Sequence, residues 1–209
     1  MGLRAVVFDY GMVLTGPPEP EAQTALLRIT GLTLARFESL YWANRRPYDE
    51  GKVTGLAFWQ SLFREAGLTL DERKVEELSH WDARLWTTEN PAMVTWQQKL
   101  KQRGLLTAIL SNMTDNVLAS VEREFDWIHR FDVRVWSFQV HMAKPAPAIY
   151  LHTLQELGVS PEEALFLDDK RVNVEAARAL GIKAIQYSTI ERLRAELIAA
   201  GLDRVLPMP

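Results

Sequence analysis

The 209-residue sequence contains no cysteine. That excludes disulfides, thiolate zinc sites, iron–sulfur clusters and a cysteine nucleophile together, and it suits a reducing compartment. Long hydrophobic runs are missing too. The amino-terminal segment MGLRAVVFDY has an apolar run that Asp9 interrupts almost at once, too short for a membrane span or a signal peptide. Val6 stands where a myristoylation signal needs Ser or Thr. No charge of one sign dominates: Lys+Arg 24 against Asp+Glu 27 leaves −3. Without a basic excess, neither nucleic acid nor an anionic membrane is expected as partner. The four histidines show no metal-binding spacing. The expectation is a cytoplasmic protein acting on small molecules, its oligomeric state unreadable.

What is present is ordinary globular material, 47% hydrophobic and 24% charged, enough for one domain or one domain carrying an insertion. Short, nearly continuous apolar runs at residues 3–8, 105–110, 164–167 and 182–187, with a weaker one at 133–138, read as strands covered on both faces. Helix-period stretches lie between them, for example Val117, Leu118, Val121 and Phe125. Alternation of this kind predicts a doubly wound parallel α/β sheet. Residues 17–86 contain no buried-strand run but several amphipathic patterns, such as Leu56, Trp59, Leu62, Phe63 and Ala66. The expected organisation is an α/β core over 1–15 and 88–209, with an all-helical insertion over 16–87.

Local punctuation agrees. Asn90-Pro91 predicts a cap and a first-turn proline, Ser160 to Glu163 a capping box, and Gly158 and Gly181 helix ends. The tetrapeptide GLTL occurs at 31–34 and 67–70, with Gly expected to close one helix and Thr33 or Thr69 to cap the next. The Pro-rich stretch from Gly16 to Glu21 is the expected hinge into the insertion.

Ligands of open parallel sheets bind at the carboxyl ends of the strands. There the sequence delivers Asp9 after the first strand, Ser111-Asn112 after the second and Asp168-Asp169 after the fourth, with Lys144 following the weak fifth candidate. Each alone reads equally well as a turn or cap residue. Together they place three acids, a hydroxyl and an ammonium on one edge, which independent capping does not require. Clustered carboxylates repel unless a cation neutralises them, and an all-oxygen set suits Mg²⁺ shared with a phosphate. A carboxylate nucleophile, a metal and a lysine around a dianion make a phosphoryl-transfer arrangement.

These residues, in this order, resemble the haloacid dehalogenase superfamily over essentially the whole chain. VVFDYGMVL is similar to its first motif, LSNMTDN to its second, HMAKPAPAIY to its third and LFLDDKRVNVEAARALGI to its fourth. The helical insertion between the first two resembles the type 1 cap. The resemblance implies a five-stranded order with the Asp9 strand central. It implies Asp9 as the nucleophile that forms an aspartyl-phosphate, Ser111 and the Asn112 backbone as phosphate ligands, and Lys144 as the residue that stabilises charge and orients Asp9. For Mg²⁺ it implies Asp9, the Gly11 carbonyl, Asp169 and Asp168, with Asn173 ordering the metal's water. The substrate would be a small phosphorylated metabolite, a sugar phosphate among the candidates.

Phosphatases of this superfamily usually carry a second Asp two residues after the nucleophile, where this chain has Gly11. Losing a positioned acid–base costs roughly 10²–10⁴-fold, so slow Mg²⁺-dependent hydrolysis of a small phosphomonoester is the expectation. Two alternatives stand beside it: a 2-haloacid dehalogenase, which typically lacks the acidic pair seen at Asp168-Asp169, and a non-catalytic protein that binds a phosphorylated ligand. In the insertion, Arg45-Arg46 is the compact basic cluster, read as a solvated face or as a patch for substrate oxygens. Trp42, Trp81 and Trp86 are expected to pack in the insertion's core, with some lining a substrate pocket.

Overall fold

The computed structural model describes residues 2–209. Five parallel strands form one sheet in the order β3-β2-β1-β4-β5: β1 (Ala5–Phe8), β2 (Leu106–Ser111), β3 (Val133–Trp136), β4 (Ala164–Asp168) and β5 (Lys183–Gln186). The strand before Asp9 is central, as the resemblance implies. It pairs with β2 from Ala5↔Leu106 and with β4 from Ala5↔Ala164. Leu3, inside the apolar run, therefore precedes the ladder. The run at 133–138 likewise stops early as a strand, because Ser137 opens the short helix α7 (Ser137–Val140).

Both faces of the sheet are covered, which explains the unbroken apolar runs. Val6, Phe8, Ile109, Leu165, Leu167 and Ile185 face one layer, made largely by α5 (Pro91–Gln102), α6 (Asp115–Glu124) and α10 (Ile190–Ala199). Ala5, Val7, Ala108, Leu110 and Phe166 face the other, made by α8 (Pro147–Leu157) and α9 (Arg171–Ala179). Trp96 is fully buried, edge-on to Phe8 with ring centroids 5.6 Å apart, and its indole N–H donates to the Pro207 carbonyl at 2.7 Å. That partner satisfies a donor whose burial is otherwise costly.

A third apolar cluster is built by α1 (Pro20–Thr30), α2 (Leu34–Asp49), α3 (Gly55–Ala66) and α4 (Val75–Arg84) around Leu26, Tyr41, Phe58, Trp59, Leu62 and Leu78. Leu56, expected on the buried stripe of α3, is exposed, and Phe58 is buried in its stead. This helical unit is tied to the sheet by two neighbouring segments. The Gly16 N–H donates to the Thr88 carbonyl at 2.7 Å, Thr15 bridges Glu89, and the Asn90 amide donates to the Val13 carbonyl and to the Tyr187 hydroxyl, each at 2.9 Å. Asn90 thus spends its side chain on this junction and not on capping α5.

Of the two GLTL copies, the first behaves as expected: Gly31 ends α1 with φ +68°, and Thr33 accepts from the Arg36 N–H. In the second, Gly67 closes α3 at φ +74°, but Thr69 caps nothing. The next turn starts later, where Asp71 accepts from the Arg73 N–H at 3.2 Å. The sequence from Ser160 to Glu163 forms a single tight turn leading into β4, with the Glu163 carboxylate accepting from the Ser160 N–H at 3.0 Å. Among the described residues no helix is long and apolar enough to cross a membrane.

Candidate active site

All strands run the same way, but the order in which they are added reverses at the centre of the sheet, β1 to β3 building out to one side and β4 to β5 to the other. The crevice at such a switch point, at the carboxyl ends of the strands, is where ligands enter. Asp9 follows β1 directly and Asp168 ends β4, on adjacent strands. The Lys144 ammonium lies 2.7 Å from Asp9 Oδ1 and 2.7 Å from Asp168 Oδ2. All three groups are buried. Carboxylate oxygens of Asp9, Asp168 and Asp169 come within 4.8 Å of one another.

Electrostatics follow from this crowding. Burial pushes the Asp9 carboxyl up to about 7; Lys144 opposes that, and the neighbouring Asp168 and Asp169 add to it. Asp169 is raised as well, by burial first and then by Asp168. Burial alone lowers Lys144, but the carboxylates of Asp168 and Asp9 outweigh it and leave its affinity for the proton above the ordinary value. Two ammonium groups, Lys144 within the cluster and Lys170 beside Asp169, against three carboxylates leave a local excess of negative charge. A hard divalent cation matches both that charge and the all-oxygen donor set.

The sequence-derived residues do not stand equally close to the pocket. Asp9, Gly11, Ser111, Asn112, Lys144, Asp169 and Asn173 line a cavity of 420 Å³. Asp168 is absent from its wall and fully buried behind it. Its oxygens accept from Lys144, from the Asn173 amide at 3.0 Å and from the Lys170 N–H at 2.8 Å. Asp168 is thus bonded to Lys144 behind the wall, and Asp9 and Asp169 are the carboxylates of the cluster that line the cavity. Asn173 is held in turn, its carbonyl accepting from the Tyr150 hydroxyl at 3.0 Å. Ser111 Oγ makes only a 3.5 Å contact, to the Asn112 carbonyl, so its hydroxyl is available to a bound oxyanion.

Arg45 and Arg46 do not form one patch. Neighbours on a helix point about 100° apart, and here one turns inward and the other outward. Arg45 is buried in the helical unit, its guanidinium 2.7 Å from Asp49 and 3.2 Å from Asp82, with the Tyr41 hydroxyl also bonded to it. It touches the cavity wall with its charge already matched. Arg46 is exposed and paired with Glu50 at 3.1 Å. Neither the solvated face nor a free basic patch describes Arg45; the aromatic rings of Tyr41, Tyr48 and Phe58 around it explain why it is drawn in.

Sequence reading missed three features. The Asn112 side chain clamps Lys144 through two bonds, accepting from its N–H at 2.8 Å and donating to its carbonyl at 3.0 Å. Trp86 packs on Gly11: a β-carbon there would meet the indole ring at 3.4 Å. Lys170 lies over the Trp42 ring at 4.4 Å, joining sheet edge and helical unit at the mouth of the cavity. Of the four tryptophans between residues 16 and 87, Trp42 and Trp86 line the cavity, while Trp59 and Trp81 pack into the helical cluster. A sequence signal for these pairings would have required contacts across 32 or more residues to be visible.

A profile of haloacid dehalogenase-like hydrolases matches residues 3–181. The chain belongs to that family. Among curated proteins it is 33% identical over 190 residues to "Phosphatase MT3486" of Mycobacterium tuberculosis, covering 88% of this chain and 87% of that one. It is 26% identical over 198 residues to (S)-2-haloacid dehalogenase 4A of Burkholderia cepacia, covering 89% and 83%. Other curated relatives, the acyl-CoA dehydrogenase family member 10 and the bifunctional epoxide hydrolases 2, are longer proteins, of which the chain spans less than half. A crystallised HAD family enzyme from Bacteroides thetaiotaomicron, in complex with magnesium and inorganic phosphate, superposes with a TM-score of 0.72 at 20% identity over 90% of this chain and 95% of that one. The chain is thus a hydrolase of the haloacid dehalogenase type on a five-stranded parallel α/β fold.

Proposed function

We propose that this hydrolase is a Mg²⁺-dependent phosphatase of small phosphomonoesters working through an aspartyl-phosphate on Asp9. The observation that carries this reading is the acidic cluster of Asp9, Asp168 and Asp169, with Lys144 paired to the first two. A site for displacement of halide at carbon has no need of the extra carboxylates, whereas a metal-bound phosphate does. Asp9, Asp169 and the Gly11 carbonyl are the residues that would hold the metal, with Asn173 beside them. When bound, the cation neutralises the carboxylates and the substrate dianion.

In this mechanism Lys144, bonded to Asp9 Oδ1, favours the ionised carboxylate against its burial. The Asp9 carboxylate attacks phosphorus in line with the ester oxygen. Ser111 Oγ and backbone N–H groups of the turn donate to the phosphoryl oxygens as charge builds on them. The P–O bond to the leaving group breaks, and that alkoxide takes its proton from solvent, because residue 11 has no side chain to supply one. Water then attacks the acyl phosphate and releases phosphate and Asp9. The helical unit, reading 16–87 as a cap, covers the site and excludes bulk water.

The deciding experiment is phosphate release from p-nitrophenyl phosphate, sugar phosphates and nucleotides, with Mg²⁺ and with chelator. Release that requires Mg²⁺ and follows leaving-group acidity, p-nitrophenyl phosphate well ahead of sugar phosphates, is the expected result. Halide release from 2-chloropropionate without metal would establish the dehalogenase reading, and metal-dependent phosphate binding without turnover the binding-protein reading.

Residue 11 provides a separate check. Its backbone, φ −63° and ψ 134°, suits any L-residue, and a β-carbon only touches Trp86. We expect the indole edge to turn a carboxyl group beyond that β-carbon away from the leaving group. Gly11→Asp alone is therefore expected to fold and to leave turnover of alkyl phosphates nearly unchanged, while Gly11→Asp with Trp86→Ala raises it by on the order of tenfold or more. A single variant as fast as the double would show that Trp86 does not occupy the space of the missing acid.

A further inference from the structure

The cavity above the phosphate end is walled by apolar side chains left open to it: Met12 from the turn after β1, Pro18 from the hinge, Trp42 from α2, Trp86 from the return segment and Pro145 after Lys144. Met12 is 37% and Trp42 47% exposed, two of the few large apolar side chains the fold leaves at its surface. Exposed apolar surface gathered in one concavity marks a binding wall.

Most polar groups on the same wall are already engaged, the buried Trp86 indole N–H, which has no partner among the described residues, being the exception. Arg45 and Asp49 bond each other, Arg46 bonds Glu50, the Tyr10 hydroxyl donates to the Trp86 carbonyl at 2.8 Å, and the Asn112 amide is held by the Lys144 backbone. Lys170 is stacked on Trp42. A leaving group rich in hydroxyls would surrender water and find few free partners. A hydrocarbon leaving group would lose nothing and gain the aromatic wall.

We infer that the phosphomonoester this site takes carries an apolar, hydrocarbon leaving group and not a polyol. The inference rests on the phosphatase reading for its phosphate end, and it sets hydrocarbon esters ahead of the sugar phosphates among the candidates. It also fits the closed ground around Gly11, where an indole edge stands in place of a polar side chain.

Ethyl, butyl and hexyl phosphates isolate recognition from acid catalysis, because their leaving groups are primary alcohols of closely similar acidity, and glycerol 3-phosphate and glucose 6-phosphate, with more acidic leaving alcohols, are favoured chemically against the expected order. With Mg²⁺, kcat/KM is expected to rise about three- to fourfold per methylene that enters the pocket, placing hexyl phosphate on the order of 100-fold above ethyl phosphate and above both polyols. Trp42→Ala and Trp86→Ala should each flatten the series, lowering hexyl turnover more than ethyl turnover. A series flat in chain length, or a polyol phosphate ahead of hexyl phosphate, overturns the inference while leaving the phosphatase intact. Should no ester be cleaved, p-nitrophenyl phosphate included, the phosphatase reading fails. The same alkyl series as phosphonates, titrated by calorimetry into the wild-type protein with Mg²⁺, then judges the pocket: affinity growing with chain length supports it, and constant affinity refutes it.

Discussion

Asp9→Asn is expected to remove phosphate release almost entirely, by on the order of 10⁴-fold or more, with the fold intact. An amide keeps an oxygen that can accept from Lys144 and from the Tyr10 N–H, which lies 2.7 Å from Asp9 Oδ1. It cannot act as the nucleophile toward phosphorus. The usual objection to such a variant, that losing a buried charge unfolds the site, has little force here. Burial already works against the Asp9 charge, and Lys144 retains Asp168 at 2.7 Å. Turnover and a thermal melt on the same sample separate the two effects. Activity within a hundredfold of the parent, with a normal melt, would place the nucleophile elsewhere and remove the proposed mechanism.

Arg45→Ala is expected to have the largest effect on stability, a loss of about 3–5 kcal/mol, since it strands buried carboxylates without their cation. Asp49 and Asp82 both face the guanidinium and both are buried. Arg46→Ala, one residue along, removes an exposed pair and should change stability by less than about 1 kcal/mol. The pH dependence has a definite sign. Burial raises the Asp49 carboxyl and Arg45 is the chief influence lowering it, so deleting Arg45 raises it further in the folded state. A folded carboxyl with a raised pKa binds more protons than the unfolded chain, so stability falls as pH rises. The deficit of Arg45→Ala should therefore shrink as pH is lowered from 8 towards 5. Urea unfolding of both variants at several pH values measures it. Equal, small losses for the two would mean the buried network contributes nothing to the helical unit.

The contrast between these two arginines marks where sequence reading ends. Their adjacency and charge were visible; which of them the aromatic rings of Tyr41, Tyr48 and Phe58 would enclose was not, because those rings come from two helices. Asp168 is a similar case. Its place at a strand end is legible from the run ALFL before it, but its saturation by Lys144, Asn173 and the Lys170 N–H depends on three segments meeting. Thr69 failed as a cap for a local reason, the Asp71–Arg73 pair two residues on taking over the start of the turn.

By itself the sequence determined the parallel α/β layering and the residues delivered to its edge. Strands buried on both faces must be apolar throughout, so each polar residue that ends such a run is placed at the strand's carboxyl end wherever the sheet puts it. Asp9, Ser111 and Asp168-Asp169 could be named on that ground, and Lys144 by its position before a helix. Tertiary structure decided which of them face the ligand, which stand behind, and what lies opposite. Trp86 covering Gly11, Trp42 beneath Lys170 and Arg45 withdrawn into its own acids are contacts between segments distant in the chain. Periodicity specifies the face a residue occupies on its own element; only packing specifies which other element meets that face.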